Sequence, residues 1–373
     1  MFLSMFKVLT IFGTRPEVVK LAPVIKELER HPDKIASAVC TSAQHREMVE
    51  PFLQIFHIKP NYDLNIMKRD QTLFDITANV LSAFRDVLQA ERPDIVLVQG
   101  DTSTAFAASL AAFYLKIKVG HIEAGLRSGD KYDPFPEEIN RRLIDLLSDF
   151  LFAPTENSRK NLLKEGFEDD RISITGNTVI DALFMVLEKT GGKKFFKDLP
   201  LRDGTKLILV TAHRRESFGE GLENICHALR RIAELNSDIE IVYPVHLNPN
   251  VQKPVNRILG HLDRIHLIKP LDYVSFVHLM NRAYLILTDS GGIQEEAPSL
   301  KKPVLVMRNT TERPEVIEAG AAKLVGTTAD SIISETQRLL DDNDEYNRMA
   351  SCPNPYGDGK AAQRIVRILM EKL

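Results

Sequence analysis

Short apolar blocks, almost unbroken by polar residues, recur along this chain, as in Ile95-Val-Leu-Val-Gln99 and Phe150-Leu-Phe-Ala153. A strand of this kind has no face to offer to water, so it belongs in a parallel sheet covered on both sides. The blocks Val8–Phe12, Ala36–Thr41, Ile95–Gln99, Val119–Ile122, Phe150–Ala153 and Ile172–Thr175 read as strands. Between them Glu17–Glu29, Leu73–Leu88 and Glu137–Leu147 carry helical spacing, and Pro23 is expected to kink the first of these helices. Alternation of strand and helix makes the fold class α/β and doubly wound.

The pattern then restarts. Residues 191–204 are polar and turn-rich, and strand candidates resume at Leu207–Val210, Ile239–Tyr243, Ile265–Ile268, Leu285–Thr288 and Val304–Met307. At 373 residues the chain is long for one domain and comfortable for two. Two Rossmann-like domains facing a central cleft are expected. Residues 1–176 form the first, joined by an amphipathic helix at 359–373, and residues 177–358 form the second.

Several partner classes are disfavoured. Net charge is −3 with no basic stripe, which argues against nucleic acid. Cys40, Cys226 and Cys352 lie far apart with no C-x-x-C spacing, so they read as reduced thiols rather than a zinc or redox site. The apolar start is interrupted by Lys7 and lacks a small-residue cleavage site, and the apolar run from Phe106 to Leu115 is too short to span a bilayer. A cytoplasmic protein without a membrane partner is the expectation.

In open parallel sheets ligands bind beyond the carboxyl ends of the strands. Gly13-Thr-Arg15-Pro-Glu17 follows the first strand and would put Arg15 at a helix N-terminus, with Lys20 one turn on. An ordinary loop with a solvated arginine fits equally well. Asp101 follows Ile95–Gln99 and is either a helix cap or a site acid. Glu123 directly follows a buried strand, where an unpaired charge is costly. Glu137 and Glu138 open a helix, a place acids occupy for dipole reasons alone. His213-Arg214-Arg215 at the next strand end is an acid–base or phosphate site, or a solvated surface run. The strongest single signal is Asp289-Ser290-Gly291-Gly292-Ile-Gln-Glu-Glu296, a strand-to-helix turn whose backbone N–H groups can approach a diphosphate. It is neither a Walker loop nor a G-x-G-x-x-G fingerprint. Arg313 lies on a nearby segment. Together these loops point to a nucleotide-diphosphate ligand.

The same segments resemble the non-hydrolysing UDP-N-acetylglucosamine 2-epimerases almost end to end. The match includes F-G-T-R-P-E at 12–17, Q-H-R-E at 44–47, Q-G-D-T at 99–102, G-H-I-E-A-G-L-R at 120–127, P-E-E-I-N-R at 136–141 and T-G-N-T-V-I-D at 175–181. It continues with A-H-R-R-E at 212–216, P-V-H-L-N-P at 244–249, D-S-G-G-I-Q-E-E-A-P at 289–298 and T-E-R-P-E at 311–315. The resemblance implies the GT-B fold, a homodimer, no cofactor and no metal, and a role in cell-envelope polysaccharide precursor synthesis. By position it implies that Arg15, Lys20, His213, Phe276, Ser290, Gly291, Gly292, Glu296 and Arg313 contact UDP, and that Asp101, Glu123 and Glu137 surround the sugar of UDP-N-acetylglucosamine. Leu271 departs from the pattern, since some relatives carry a Gln there against the uracil. Some members bind a second substrate molecule as an activator, and Gln44, His45, Arg46, Gln71 and His246 fall in the matching segments.

The chemistry suits these groups. C2–H of N-acetylglucosamine becomes acidic when UDP leaves C1, giving 2-acetamidoglucal, to which UDP re-adds. Acid–base groups near C2 and a clamp on the departing diphosphate are then required, with His213 on the catalytic side. The competing expectations are a hydrolysing epimerase that releases N-acetylmannosamine and UDP, a GT-B glycosyltransferase, and a sugar-nucleotide sensor without catalysis.

Overall fold

The computed structural model describes residues 5–42, 46–66, 71–191, 195–196, 199–202 and 204–373, with side chains not described at 46–48. The chain forms two compact units, residues 1–185 with 356–373, and residues 186–355. The sequence pattern suggested a division at 176/177.

The first unit is built on β1 (Phe6–Phe12), α1 (Arg15–Leu28), β2 (Ile35–Thr41), α2 (Arg46–Phe56), β3 (Tyr62–Asp63), α3 (Leu73–Glu91), β4 (Ile95–Gln99), α4 (Ser103–Tyr114), β5 (Lys118–Ile122), α5 (Glu137–Leu147), β6 (Phe150–Ala153), α6 (Glu156–Lys164) and β7 (Ile172–Ile174). Helix α7 (Thr178–Thr190) runs across the division between the units. The sheet order is β3-β2-β1-β4-β5-β6-β7, with every pair parallel. Every residue of β4 and β6 is buried, as continuous apolar strands require when helices cover both faces.

The second unit holds β8 (Lys206–Thr211), α8 (Glu220–Leu235), β9 (Ile239–Pro244), α9 (Pro249–Leu259), β10 (Ile265–Ile268), α10 (Tyr273–Arg282), β11 (Leu285–Thr288), α11 (Gly291–Glu296), β12 (Val304–Val306), α12 (Pro314–Glu318), β13 (Ala322–Leu324), α13 (Ala329–Asp341) and α14 (Asn343–Ala350). Its sheet runs β10-β9-β8-β11-β12-β13, again all parallel. Helix α15 (Ala361–Lys372) closes the chain and belongs to the first unit, where Asp181 on α7 accepts the backbone amides of Ala361 and Ala362.

Both units are therefore doubly wound and Rossmann-like. In each the strand order reverses beside the unit's first strand, between β1 and β4 and between β8 and β11. Connections leave those two neighbours toward opposite faces, which opens a crevice at their carboxyl ends. Two short strands were not expected from the sequence. Strand β3 is only two residues long and β13, Ala322–Leu324, has a lysine at its centre, so neither shows as an apolar block. Helix α1 includes Pro23, as the helical pattern at 17–29 implies, and the proline costs one backbone donor without ending the helix. None of the described helices is long and apolar enough to cross a membrane.

Candidate active site

In the first unit the loop after β1 turns at Gly13. A side chain there would sit 2.3 Å from Ser42 Oγ and 2.8 Å from Thr104 Oγ1, so only glycine fits without rearrangement. Thr14 and Glu17 form a capping box at the start of α1. Glu17 is buried and does more than cap. Its Oε2 accepts the amides of Gly13 (3.0 Å) and Thr14 (2.6 Å), and its Oε1 accepts the hydroxyl of Thr102 (2.7 Å) in the loop after β4. Burial pushes the Glu17 carboxyl above its ordinary range, and these donors pull it back. One carboxylate thus ties together the loops on either side of the β1/β4 reversal.

Glu123 follows β5 at φ 72°, in the left-handed region that non-glycine residues avoid. The carbonyl of Phe152 on β6 accepts both the Glu123 and the Ala124 amide and holds this turn. The side chain is buried, 7% exposed. Lys20 Nζ donates to its Oε1 at 2.5 Å, Asn177 Nδ2 donates to the same oxygen at 2.9 Å, and Gln99 Nε2 donates to Oε2. A strained backbone and a carboxylate surrounded by donors make Glu123 the candidate in this unit that packing alone explains least. Lys20, expected on UDP, is thus brought to the acid expected on the sugar.

Asp101 is not a helix cap, because Thr102 fills that role for α4. The Asp101 carboxylate instead pairs with Arg141 on α5. Beneath it His121 is fully buried on β5, with Nε2 2.8 Å from the Gly100 carbonyl and Nδ1 2.6 Å from Asp145. Asp145 also takes Arg127 at 2.8 Å. The two acids opening α5 separate. Glu138 is fully buried, accepting the Ser128 amide, Arg141 and Arg142. Glu137 is only partly buried and has no side-chain partner among the described residues, which suits a reacting group better. Arg15 is exposed at the start of α1, with its guanidinium 5.3 Å from the Phe52 ring centre.

In the second unit the reversal lies between β8 and β11. Asp289 is fully buried, and its Oδ2 accepts the amides of His213 (2.6 Å) and Arg214 (2.7 Å). The His213 ring lies with Nδ1 3.3 Å from Asp289 Oδ1 and stacks on His246, centre to centre 5.6 Å. Burial lowers the His213 pKa most, Asp289 opposes that, and His246 and Arg214 add to the lowering. A Cβ at Gly291 would lie 3.8 Å from a terminal nitrogen of Arg214 and 3.8 Å from one of Arg313. Two guanidiniums therefore converge on the backbone where α11 starts, next to Ser290 and Gly292. Arg313 is also paired with Glu295. Glu296 accepts the Tyr273 hydroxyl at 3.2 Å, which joins α11 to α10, the helix that carries Phe276 half-buried.

The expected site residues thus fall into two sets. Arg15, Lys20, Asp101, Glu123 and Glu137 belong to the first unit, and His213, His246, Phe276, Ser290, Gly291, Gly292, Glu296 and Arg313 to the second. Gln71 donates to the Ile66 carbonyl at 3.3 Å. Gln44 and His45 lie outside the described residues, and so does the side chain of Arg46. Sequence reasoning assigns no role to Glu17, Gln99, His121, Arg141, Asp145, Asn177 or Asp289. Most stand inside the quoted motifs, and Gln99 and Asp289 are polar residues at the ends of apolar strands, a signal that was available. Among the described residues no group of three or more His, Cys, Asp or Glu side chains is placed to hold a metal ion.

Comparison with known proteins agrees with this picture. The family model described as UDP-N-acetylglucosamine 2-epimerase matches residues 26–370. The UDP-N-acetylglucosamine 2-epimerase of Escherichia coli K12 is 57% identical over 369 residues, covering 97% of this chain and 98% of that protein. The crystal structure of UDP-GlcNAc 2-epimerase from Neisseria meningitidis, bound to UDP-GlcNAc, superposes with a TM-score of 0.88 at 52% identity, covering 98% of this chain and 100% of that one. A kitacinnamycin glycotransferase shares the fold alone, at a TM-score of 0.66 and 13% identity over 98% of this chain and 99% of that one. Two Rossmann-like units per chain, shared with a glycosyltransferase, are the GT-B fold. With the family model matched over most of its length and close relatives matched nearly end to end, the chain belongs to the UDP-N-acetylglucosamine 2-epimerase family.

Proposed function

We propose that this protein interconverts UDP-N-acetylglucosamine and UDP-N-acetylmannosamine without net hydrolysis. A carboxylate removes the proton at C2 while the C1–O bond to UDP breaks, giving 2-acetamidoglucal and UDP. UDP then re-forms the bond at C1 while a proton arrives at C2 on the opposite face. Nothing is oxidised or reduced, and the proton lost is replaced.

The observation that carries this reading is Glu123. A carboxylate on a strained turn, buried and fixed by Lys20, Gln99 and Asn177, is held ready for proton transfer. Asp101, steered by Arg141, and the less encumbered Glu137 are its partners in acid–base work. In the second unit Arg214 and Arg313, with the Ser290-Gly-Gly backbone, suit the charge that builds on the leaving diphosphate. His213 stands beside them. Arg15 and Phe276 are assigned to the nucleotide. Bound UDP-GlcNAc in the Neisseria relative supports the same substrate here.

The enzyme works as a homodimer in the cytoplasm, feeding cell-envelope polysaccharide synthesis and needing no cofactor. Exposed Phe113, Tyr114 and Leu146 line a groove of about 820 Å³ on the first unit and offer apolar surface for a second copy. Light scattering that finds a monomer at micromolar concentration refutes the dimer. Activation by a second substrate molecule, through Gln71, His246 and the 44–46 segment, predicts a lag or a sigmoidal rate curve.

Proton NMR of the protein with UDP-N-acetylglucosamine in D2O tests the reaction. Deuterium at C2 with accumulating UDP-N-acetylmannosamine is expected. Free N-acetylmannosamine with UDP indicates the hydrolysing reaction instead. A folded protein that binds UDP yet shows no exchange refutes epimerisation.

A further inference from the structure

Arg308 stands two residues after β12 and reaches no reacting group, yet its side chain is only 4% exposed. The guanidinium lies between two carboxylates. Nε donates to Glu216 Oε1 at 2.5 Å and Nη2 to Glu216 Oε2 at 3.3 Å. Nη1 and Nη2 donate to Glu312 Oε2 and Oε1, each at 3.1 Å. Both pairs are two-pronged, a geometry that a planar guanidinium can offer and an ammonium cannot.

Where these carboxylates sit along the chain matters. Glu216 is two residues after Arg214, and Glu312 immediately precedes Arg313. Each acid is thus tethered beside one of the two guanidiniums that converge at Gly291. The Glu312 carboxyl is held below its ordinary range, first by the hydrogen bond from Arg308, with burial opposing and Arg214 and Arg313 adding to the lowering. Its charge is therefore within electrostatic reach of both guanidiniums. Both carboxylates are about half exposed, so neither is held in place by packing.

We propose that Arg308 is a positioning residue that keeps Glu216 and Glu312 turned away from Arg214 and Arg313, so that a nucleotide diphosphate, and not these two carboxylates, meets the terminal nitrogens that the two guanidiniums present beside Gly291, while Arg313 keeps its pair with Glu295. The inference rests on reading the strand ends of the second unit as the diphosphate site. Without Arg308 two acids compete with the ligand from the same loops that carry its binding groups.

The experiment is calorimetric titration of the full chain with UDP. Wild type is expected to bind. R308M is expected to bind at least about tenfold more weakly, because two uncompensated charges then face the anion. The decisive variant is R308M/E216Q/E312Q, which removes the competing charges without restoring the clamp and is expected to regain UDP affinity to within about threefold of wild type. R308K, together with R308K/E312Q, runs the same comparison if R308M does not fold. R308M that binds like wild type overturns the proposal and leaves the diphosphate site standing. R308M that stays weak after both acids are neutralised also overturns it, because the effect is then structural. Absence of UDP binding by wild type removes the diphosphate reading and this proposal with it.

Discussion

Asp289→Asn tests whether the second unit is organised as described. The carboxylate at the end of β11 is fully buried, and one of its oxygens holds the His213 and Arg214 amides. An asparagine oxygen can take both amides without its neighbours moving, but it accepts them as a neutral group. Charge-assisted hydrogen bonds contribute about 1.5–3 kcal/mol and neutral ones about 0.5–1.5, so each bond weakens by about 1 kcal/mol and the pair by about 2. If the loop after β8 places groups on the departing diphosphate, that loss appears as a drop of about 30-fold in kcat/KM. A second effect has a definite sign. Asp289 is the one influence that raises the His213 pKa against burial, His246 and Arg214. Removing its charge destabilises the imidazolium further, so a pH–rate limb due to His213 must move to lower pH. The assay is deuterium incorporation at C2, followed from about pH 5 to 8 in wild type and variant. An unchanged kcat/KM, or a limb that moves to higher pH, refutes the reasoning.

Other substitutions separate binding from chemistry. Glu123→Gln puts an amide NH2 where Lys20, Gln99 and Asn177 all donate, and it removes the base; exchange at C2 is expected to fall by about 10²–10⁴-fold while UDP affinity by calorimetry stays within about threefold. Substantial residual exchange would remove Glu123 from the mechanism. Gly291→Ala meets nothing closer than 3.8 Å, so thermal stability is expected to hold, but the methyl fills the space between Arg214 and Arg313, and UDP affinity is expected to drop by about tenfold or more. Equal affinity would show that no anion uses that space. Burial pushes the Asp181 carboxyl up to about 6 from 3.8, so the folded chain holds a proton that the unfolded chain releases, and stability from this group is greatest at low pH and is lost as pH rises through about 6. The total is about 3 kcal/mol, and Asp181→Asn is expected to lack that pH-dependent component in urea unfolding at about pH 4 and 7. A pH-independent difference between the two proteins contradicts it.

The legible part of the fold was the part written in local pattern. Blocks such as Ile95–Gln99 and Leu285–Thr288 carry their burial in composition and stand in the structure where they were read. Strands β3 and β13 were not legible, because Tyr62–Asp63 is only two residues and Ala322–Leu324 carries a lysine at its centre, and their strand state comes from pairing with Cys40–Thr41 and Val304–Val306. In the site, Asp101, Glu123 and the Ser290-Gly-Gly turn stand out in the sequence because each follows a buried strand, although Asp101 also suits a helix cap. That argument cannot separate Glu137 from Glu138, since both suit a helix start; only the buried partners of Glu138, one of them Ser128 ten residues upstream, do so.

What stayed hidden has a common physical character. Glu17 holds the loops after β1 and β4 together, and Asp289 holds the loop after β8 to the end of β11. Each unit thus carries one buried carboxylate across its own strand-order reversal, the place where the sheet opens at its carboxyl edge. Such a crevice binds a ligand because its backbone amides point outward with no internal partner, and that same lack of partners leaves its walls loose. A buried carboxylate fits this position better than a hydroxyl or amide, because it accepts from both walls at once and its charge strengthens each bond. Burial works against the charge, as the raised pKa of Glu17 records, so the device is retained at a cost in stability. In a one-dimensional reading Glu17 is a first-turn acid and Asp289 a loop acid, since the partners that give them their roles lie 85 and 76 residues away. If these loops bind the substrate as proposed, their rigidity depends on Glu17 and Asp289, and variants at the two positions should loosen the geometry of the site before they unfold the chain.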